Sequence, residues 1–296
     1  MPDPEITALR TLIASRPRAS EVAQMRKDYD ARGLAYGLPA DVTVEKVSAN
    51  GVPSEWTSTP GADASKVILF LHGGGYVIGS LDSHRHLVAE AGRAAGTRTL
   101  AIDYRMAPEH PFPAAVEDTV AAYRFLLNSG IAAKNIAIAG DSAGGGLVVG
   151  GILAIRDTGL PLPGCAWCIS PWVDMEALGA SFQDRAATDP TVQAPTIKFM
   201  ADTYIAGGDK RHPHAAPIYG DLHGLPPIMI QVGAAETLLD DSIQLARAAG
   251  IADVPVDLQI WPEMIHVWHS YHPVLNAGKR AIAAGGAFVR THLQGA

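Results

Sequence analysis

Residues Ile136–Gly146 read Ile-Ala-Ile-Ala-Gly-Asp-Ser-Ala-Gly-Gly-Gly. Alternating β-branched and small apolar residues suit a buried strand, and the apolar run that continues to Arg156 suits a helix. Ser142 therefore stands at the apex of a strand-to-helix turn, in the pattern Gly-x-Ser-x-Gly. A turn this sharp strains its central residue, and small neighbours let the two arms approach; Gly140 and Gly144 supply them. The hydroxyl is thrust outward beside the unpaired N–H groups and positive end of a helix, which favour a developing oxyanion. Glycine-rich strand–helix turns also cradle phosphates, but here no Lys-Ser/Thr ending and no Gly-x-Gly-x-x-Gly spacing follows.

Short runs rich in Val, Ile and Leu recur on both sides of this element, at Val67–Leu71, Thr99–Asp103, Asn135–Ala139, Cys165–Ile169, Ile228–Val232 and Val256–Trp261. Helical spacing fills the intervals, at Ser83–Ala95, Ala114–Asn128, Ala143–Arg156, Thr196–Tyr204, Asp241–Ala249 and Ala277–Leu293. That alternation predicts an α/β fold with a mostly parallel sheet covered on both faces. Before it, Val42–Ser48 alternates and Asn50-Gly51 follows, a hairpin signal that starts the sheet antiparallel. Residues Glu5–Tyr36 carry two helical faces separated by Pro17, so residues 1–40 read as a helical cap segment and 41–296 as one catalytic domain. The stretch Asp174–Leu225, punctuated by four prolines, is long enough to add a second contribution to the lid.

At 296 residues one α/β domain with a cap accounts for the chain, and the formal net charge of -7 argues against nucleic acid as a partner. Met-Pro-Asp-Pro-Glu is not the basic start of a signal peptide and no apolar run reaches the length of a membrane span, so the default expectation is cytoplasmic. Cys165 and Cys168 are spaced C-x-x-C, but within a strand such residues face opposite sides and do not close a disulfide. The pairs His84/His86 and His212/His214 lack further ligands nearby, so no metal is expected.

His72-Gly73-Gly74-Gly75-Tyr76 follows the strand Val67–Leu71 directly. Three glycines continue a strand poorly, but they free backbone N–H groups to point inward, where with the N–H of Ala143 they could hold an oxyanion. An acyl-transfer serine needs a base and an orienting acid. His266 lies in the loop after the last strand, at the sheet edge where ligands gather, with His269 and His272 as rivals further along. Glu236 lies in the loop after Ile228–Val232 and is preferred as the acid over Asp240, which a helix N-terminus explains as well.

These blocks, with Asp103–Ala114 and Ser170–Asp174, resemble the bacterial hormone-sensitive-lipase-like (type IV) carboxylesterases of the α/β-hydrolase superfamily, over residues 67–268. The resemblance implies the α/β-hydrolase fold and hydrolysis of short- to medium-chain esters without metal or cofactor. It implies Ser142 as nucleophile, His266 as base, Glu236 as acid where many relatives carry Asp, and Gly74, Gly75 and Ala143 as oxyanion donors. It also suggests that two copies could pair through the last strand, Val256–Trp261. Arg105 and Glu109 would brace the glycine loop, and Asp141 would anchor a neighbouring loop. An amidase or deacetylase could use the same triad, and a non-catalytic small-molecule receptor could keep the same fold. A haloalkane dehalogenase is disfavoured, because its elbow would carry a carboxylate at position 142.

Overall fold

The computed structural model describes residues 3–17 and 19–293. Its strands are β1 (Thr43–Ala49), β2 (Val52–Ser58), β3 (Asp63–Leu71), β4 (Thr97–Ile102), β5 (Ile136–Asp141), β6 (Cys165–Ile169), β7 (Ile228–Gly233) and β8 (Val256–Trp261). They form one sheet in the order β1-β2-β4-β3-β5-β6-β7-β8. The pairings of β1 with β2 and of β2 with β4 are antiparallel, and all others are parallel. β5 lies near the middle, hydrogen-bonded to β3 on one side and β6 on the other.

The helices are α1 (Pro4–Ala14), α2 (Val22–Leu34), α3 (Leu81–Ala95), α4 (Ala114–Asn128), α5 (Ala143–Asp157), α6 (Ser181–Asp184), α7 (Ala194–Ile205), α8 (Leu239–Ile251) and α9 (Asn276–Leu293). The two-residue period of a strand divides the core. Val67, Leu69, Leu71, Ile136 and Ile138 join a cluster containing Val116 of α4, Leu147 of α5 and Leu245 of α8. Ile68, Phe70, Ala137 and Ala139 join another containing Leu87 of α3 and Ile282 of α9. Cys165 belongs to the second and Cys168 to the first, so the two thiols stand on opposite faces and are free. Both faces of these strands are buried, which is why the central strands read as continuous apolar sequence.

Every strand expected from the sequence is present, with ends shifted by up to four residues. The two N-terminal helices are α1 and α2, separated around Pro17 as expected. Residues 1, 2 and 18 of the expected cap segment, and 294–296 of the expected catalytic domain, lie outside the described residues. α1 buries Ile6, Leu9 and Ile13 against Met264, Ile265, Trp268 and Leu275. α2 is clamped by Arg26, which donates to both carboxylate oxygens of Glu109 and to the carbonyls of Val77 and Ala107. Among the described residues no helix is long and apolar enough to cross a membrane, and no group of three or more His, Cys, Asp or Glu could hold a metal.

Candidate active site

Ser142 links the end of β5 to the start of α5 with φ 55 and ψ -121, a region that costs a residue with a Cβ roughly 1–3 kcal/mol. Surrounding hydrogen bonds hold it there: its N–H donates to the Ile169 carbonyl (2.8 Å), and its own carbonyl accepts from Trp172 (2.9 Å) and Gly146 (3.0 Å). A Cβ on Gly144 would collide with the carbonyl oxygens of Leu71 and His72, both rigid backbone. Gly144→Ala is therefore expected to destabilise the fold by about 1–3 kcal/mol or more, read as a lowered melting temperature. A melting temperature equal to wild type would mean that the elbow is not closely packed.

The imidazole of His266 stands between Ser142 and Glu236. Its Nε2 is 2.9 Å from Ser142 Oγ and its Nδ1 is 2.8 Å from Glu236 Oε2. A carboxylate only accepts, so the ring proton resides on Nδ1 and Nε2 is left to accept from the serine hydroxyl. Glu236 Oε1 accepts from Ser170 Oγ (2.7 Å) and from the Gly233 N–H (2.6 Å). The carboxyl is 0% exposed, and burial pushes its pKa up, opposed by the hydrogen bond and charge of His266 and the hydrogen bond from Ser170. Burial also disfavours the His266 cation, yet the hydrogen bond and charge of Glu236, with the charges of Asp189 and Asp141, outweigh it and raise the imidazole above its ordinary value.

The loops that carry these groups are tied together. The N–H of Ala234 donates to the Trp261 carbonyl and that of Ala235 to the Met264 carbonyl, joining the loops after β7 and β8. Ser170 Oγ accepts from the Val267 N–H (3.2 Å) while donating to Glu236, so one hydroxyl braces both loops. The sequence marks Ser170 as the residue after a strand and the start of a block shared with the family, and nothing local to it discloses this role.

The glycine loop lies opposite. Gly74 has φ 122, and a Cβ there would run into the Ile78 carbonyl. Its carbonyl accepts from Val77 and Ile78, whereas the N–H groups of Gly74 and Gly75 have no acceptor among the described residues. Asp141 anchors this loop as expected, accepting from the Gly73 N–H (3.1 Å) and lying 3.3 Å from His84 Nε2. Arg105 does not reach it: its guanidinium pairs with Asp118 and Glu117, and Glu109 serves Arg26 instead. The expected brace is thus supplied by α2 through Arg26.

The rivals are engaged elsewhere. His269 is buried, bonded to Gln231 Oε1 (3.0 Å), and burial lowers its pKa to about 3. The His272 ring stacks against His86, and burial lowers its pKa to about 4. Asp240 accepts from the Ser181 N–H (2.9 Å) and Asp241 from Val173 and Asp174. Both therefore hold the segment after β6.

Ser142, His266, Gly74 and Gly75 open into a cavity of about 190 Å³. Apolar side chains from two distant stretches line it: Ile13 and Met25 near the N-terminus, and Val192, Ile197 and Met200 from the segment between β6 and β7. Arg16, Asp28, Tyr29 and Arg32 complete the N-terminal side.

A family profile described as alpha/beta hydrolase fold matches residues 68–270. A curated relative named acetyl-hydrolase, from Streptomyces hygroscopicus, is 47% identical over 98% of both chains. A solved esterase of the bacterial hormone-sensitive lipase family is 46% identical, with a TM-score of 0.96 over 99% of both chains. The crystal structure of EstE5-PMSF is also 46% identical, with a TM-score of 0.94 over 99% of this chain and 100% of that one. With the elbow, the strand order and the paired loops above, these likenesses lead to one family: the chain belongs to the α/β-hydrolase fold, in its bacterial hormone-sensitive-lipase branch.

Proposed function

We propose that the chain is a serine carboxylesterase acting on short- to medium-chain esters through Ser142, His266 and Glu236. The observation that carries this reading is the unbroken line of hydrogen bonds from Ser142 Oγ through His266 to Glu236, on the wall of an apolar cavity. His266 Nε2 takes the hydroxyl proton as Oγ attacks the ester carbonyl, and Glu236 stabilises the resulting imidazolium. The carbonyl oxygen becomes an anion held by the N–H groups of Gly74, Gly75 and Ala143. Collapse expels the alcohol, which leaves with the proton from His266. Water activated by the same ring then hydrolyses the acyl-enzyme and regenerates the serine.

Residues 1–40 and part of 174–225 act as the cap that bounds the substrate. Bulky apolar side chains reach the cavity from both stretches, which favours small acyl groups. The name of the Streptomyces relative, acetyl-hydrolase, fits the short end of that range. PMSF sulfonylates activated serines, so its pairing with EstE5 accords with a serine nucleophile in that structural neighbour.

The test is hydrolysis of para-nitrophenyl esters from acetate to palmitate, with and without PMSF. Rates should peak at short or medium chains and be abolished by PMSF. Because only neutral His266 accepts the proton, kcat/KM should rise with pH through a midpoint above the ordinary imidazole value of 6.5. Folded protein that cleaves none of these esters overturns the esterase reading, and hydrolysis of the anilide amide alone would favour an amidase.

A further inference from the structure

We propose that Asp189, carried by the segment between β6 and β7, is a positioning residue for this hydrolysis: its carboxylate fixes the loop bearing Glu236 against the wall of the substrate cavity. The inference rests on the Ser142–His266–Glu236 reading. Asp189 is 2% exposed, and a buried carboxylate is retained only where donors satisfy it. Its Oδ2 accepts from the Thr237 N–H (3.0 Å) and the Thr237 hydroxyl (3.3 Å). Its Oδ1 accepts from the N–H groups of Thr191 (2.8 Å) and Val192 (3.1 Å), residues that line the cavity. One carboxylate thus joins the residue after Glu236 to a wall of the substrate cavity.

Two further contacts reinforce the joint. Gln193 donates to the Asp189 carbonyl (2.7 Å), and Thr188 donates to the carbonyl of Ala235 (3.2 Å), the residue before Glu236. The acid loop is therefore gripped on both sides of Glu236 by the segment over the cavity. The charge also matters. The charges that favour the His266 cation are those of the Glu236, Asp189 and Asp141 carboxylates, and the nearby His269 stays neutral. Asp189 helps the imidazolium that forms as Ser142 attacks, without touching it.

Asp189→Asn keeps the volume, removes the charge, and turns an amide NH₂ toward N–H donors. It should lower kcat about 10-fold or more and move the acid limb of the kcat/KM profile to lower pH. A residue that merely docked the segment would change KM and melting temperature and leave that limb in place, which would overturn the charge role. Should Asp189→Asn fail to fold, Thr237→Val removes the hydroxyl shared between Asp189 Oδ2 and the Val192 carbonyl, each 3.3 Å away, and keeps the charge. It is expected to lower kcat severalfold with the acid limb unmoved, and unchanged kcat overturns the positioning role. Ser142→Ala run alongside separates the two readings: if it stays active the triad itself is wrong, whereas if it is inactive the failure belongs to Asp189 alone.

Discussion

Ser142→Ala is expected to lower kcat on para-nitrophenyl butyrate by about 10⁶-fold while leaving the fold intact. The size follows from chemistry. No other hydroxyl is bonded to His266 among the described residues, so the variant loses the covalent route and keeps only binding and the oxyanion donors. Preservation of the fold follows from geometry. The unusual backbone at 142 is held by main-chain bonds to Ile169, Trp172 and Gly146, which an alanine makes equally well. Alanine also has the same Cβ, so the strain at φ 55 is unchanged. What is lost is a single hydrogen bond to an imidazole, worth about 1 kcal/mol. Kinetics and a thermal melt on one preparation check both halves. A folded variant retaining even a hundredth of wild-type activity would exclude Ser142 as nucleophile.

How far the sequence disclosed this site depends on how local each signal is. The elbow was legible because its chemistry is packed into five residues: strand, turn, serine and helix follow without interruption, and glycines stand where a Cβ would meet the backbone. The central strands were legible because burial on both faces removes polar residues from them. His266 and Glu236 could be located only by their order after strands, a weaker signal that still selected them over His269, His272 and Asp240. Ser170, Asp189 and Arg26 were beyond it. Each reaches partners far along the chain, from 48 positions between Asp189 and Thr237 to 97 between Ser170 and Val267, and no spacing rule encodes such contacts. Arg105 departs from its expected role for the opposite reason: it finds its carboxylates close by in the chain, on α4, at Glu117 and Asp118.

Replacing the acid should give the second largest effect, and it distinguishes two carboxylates four positions apart. Glu236→Gln is expected to lower kcat by about 10⁴-fold, whereas Asp240→Asn should change it by less than about 10-fold. The glutamine keeps the shape but cannot act as the anion that stabilises the His266 imidazolium. Its amide would also face three donors, from Ser170, Gly233 and His266, so at least one would meet an NH₂ group. The ring can then hold its proton on Nε2, the wrong nitrogen for accepting from Ser142. Loss of that anion also removes the main influence raising the His266 pKa against its burial, so residual activity should persist to lower pH than in wild type. Asp240 accepts from the Ser181 N–H and lies on α8 among groups that hold the segment after β6, so its variant should lose stability more than rate. Kinetics and thermal melts of both variants measure the contrast. A 10⁴-fold fall in Asp240→Asn with Glu236→Gln near wild type would reverse the assignment, and equal falls in both would mean that the acid loop, rather than one carboxylate, sets the rate.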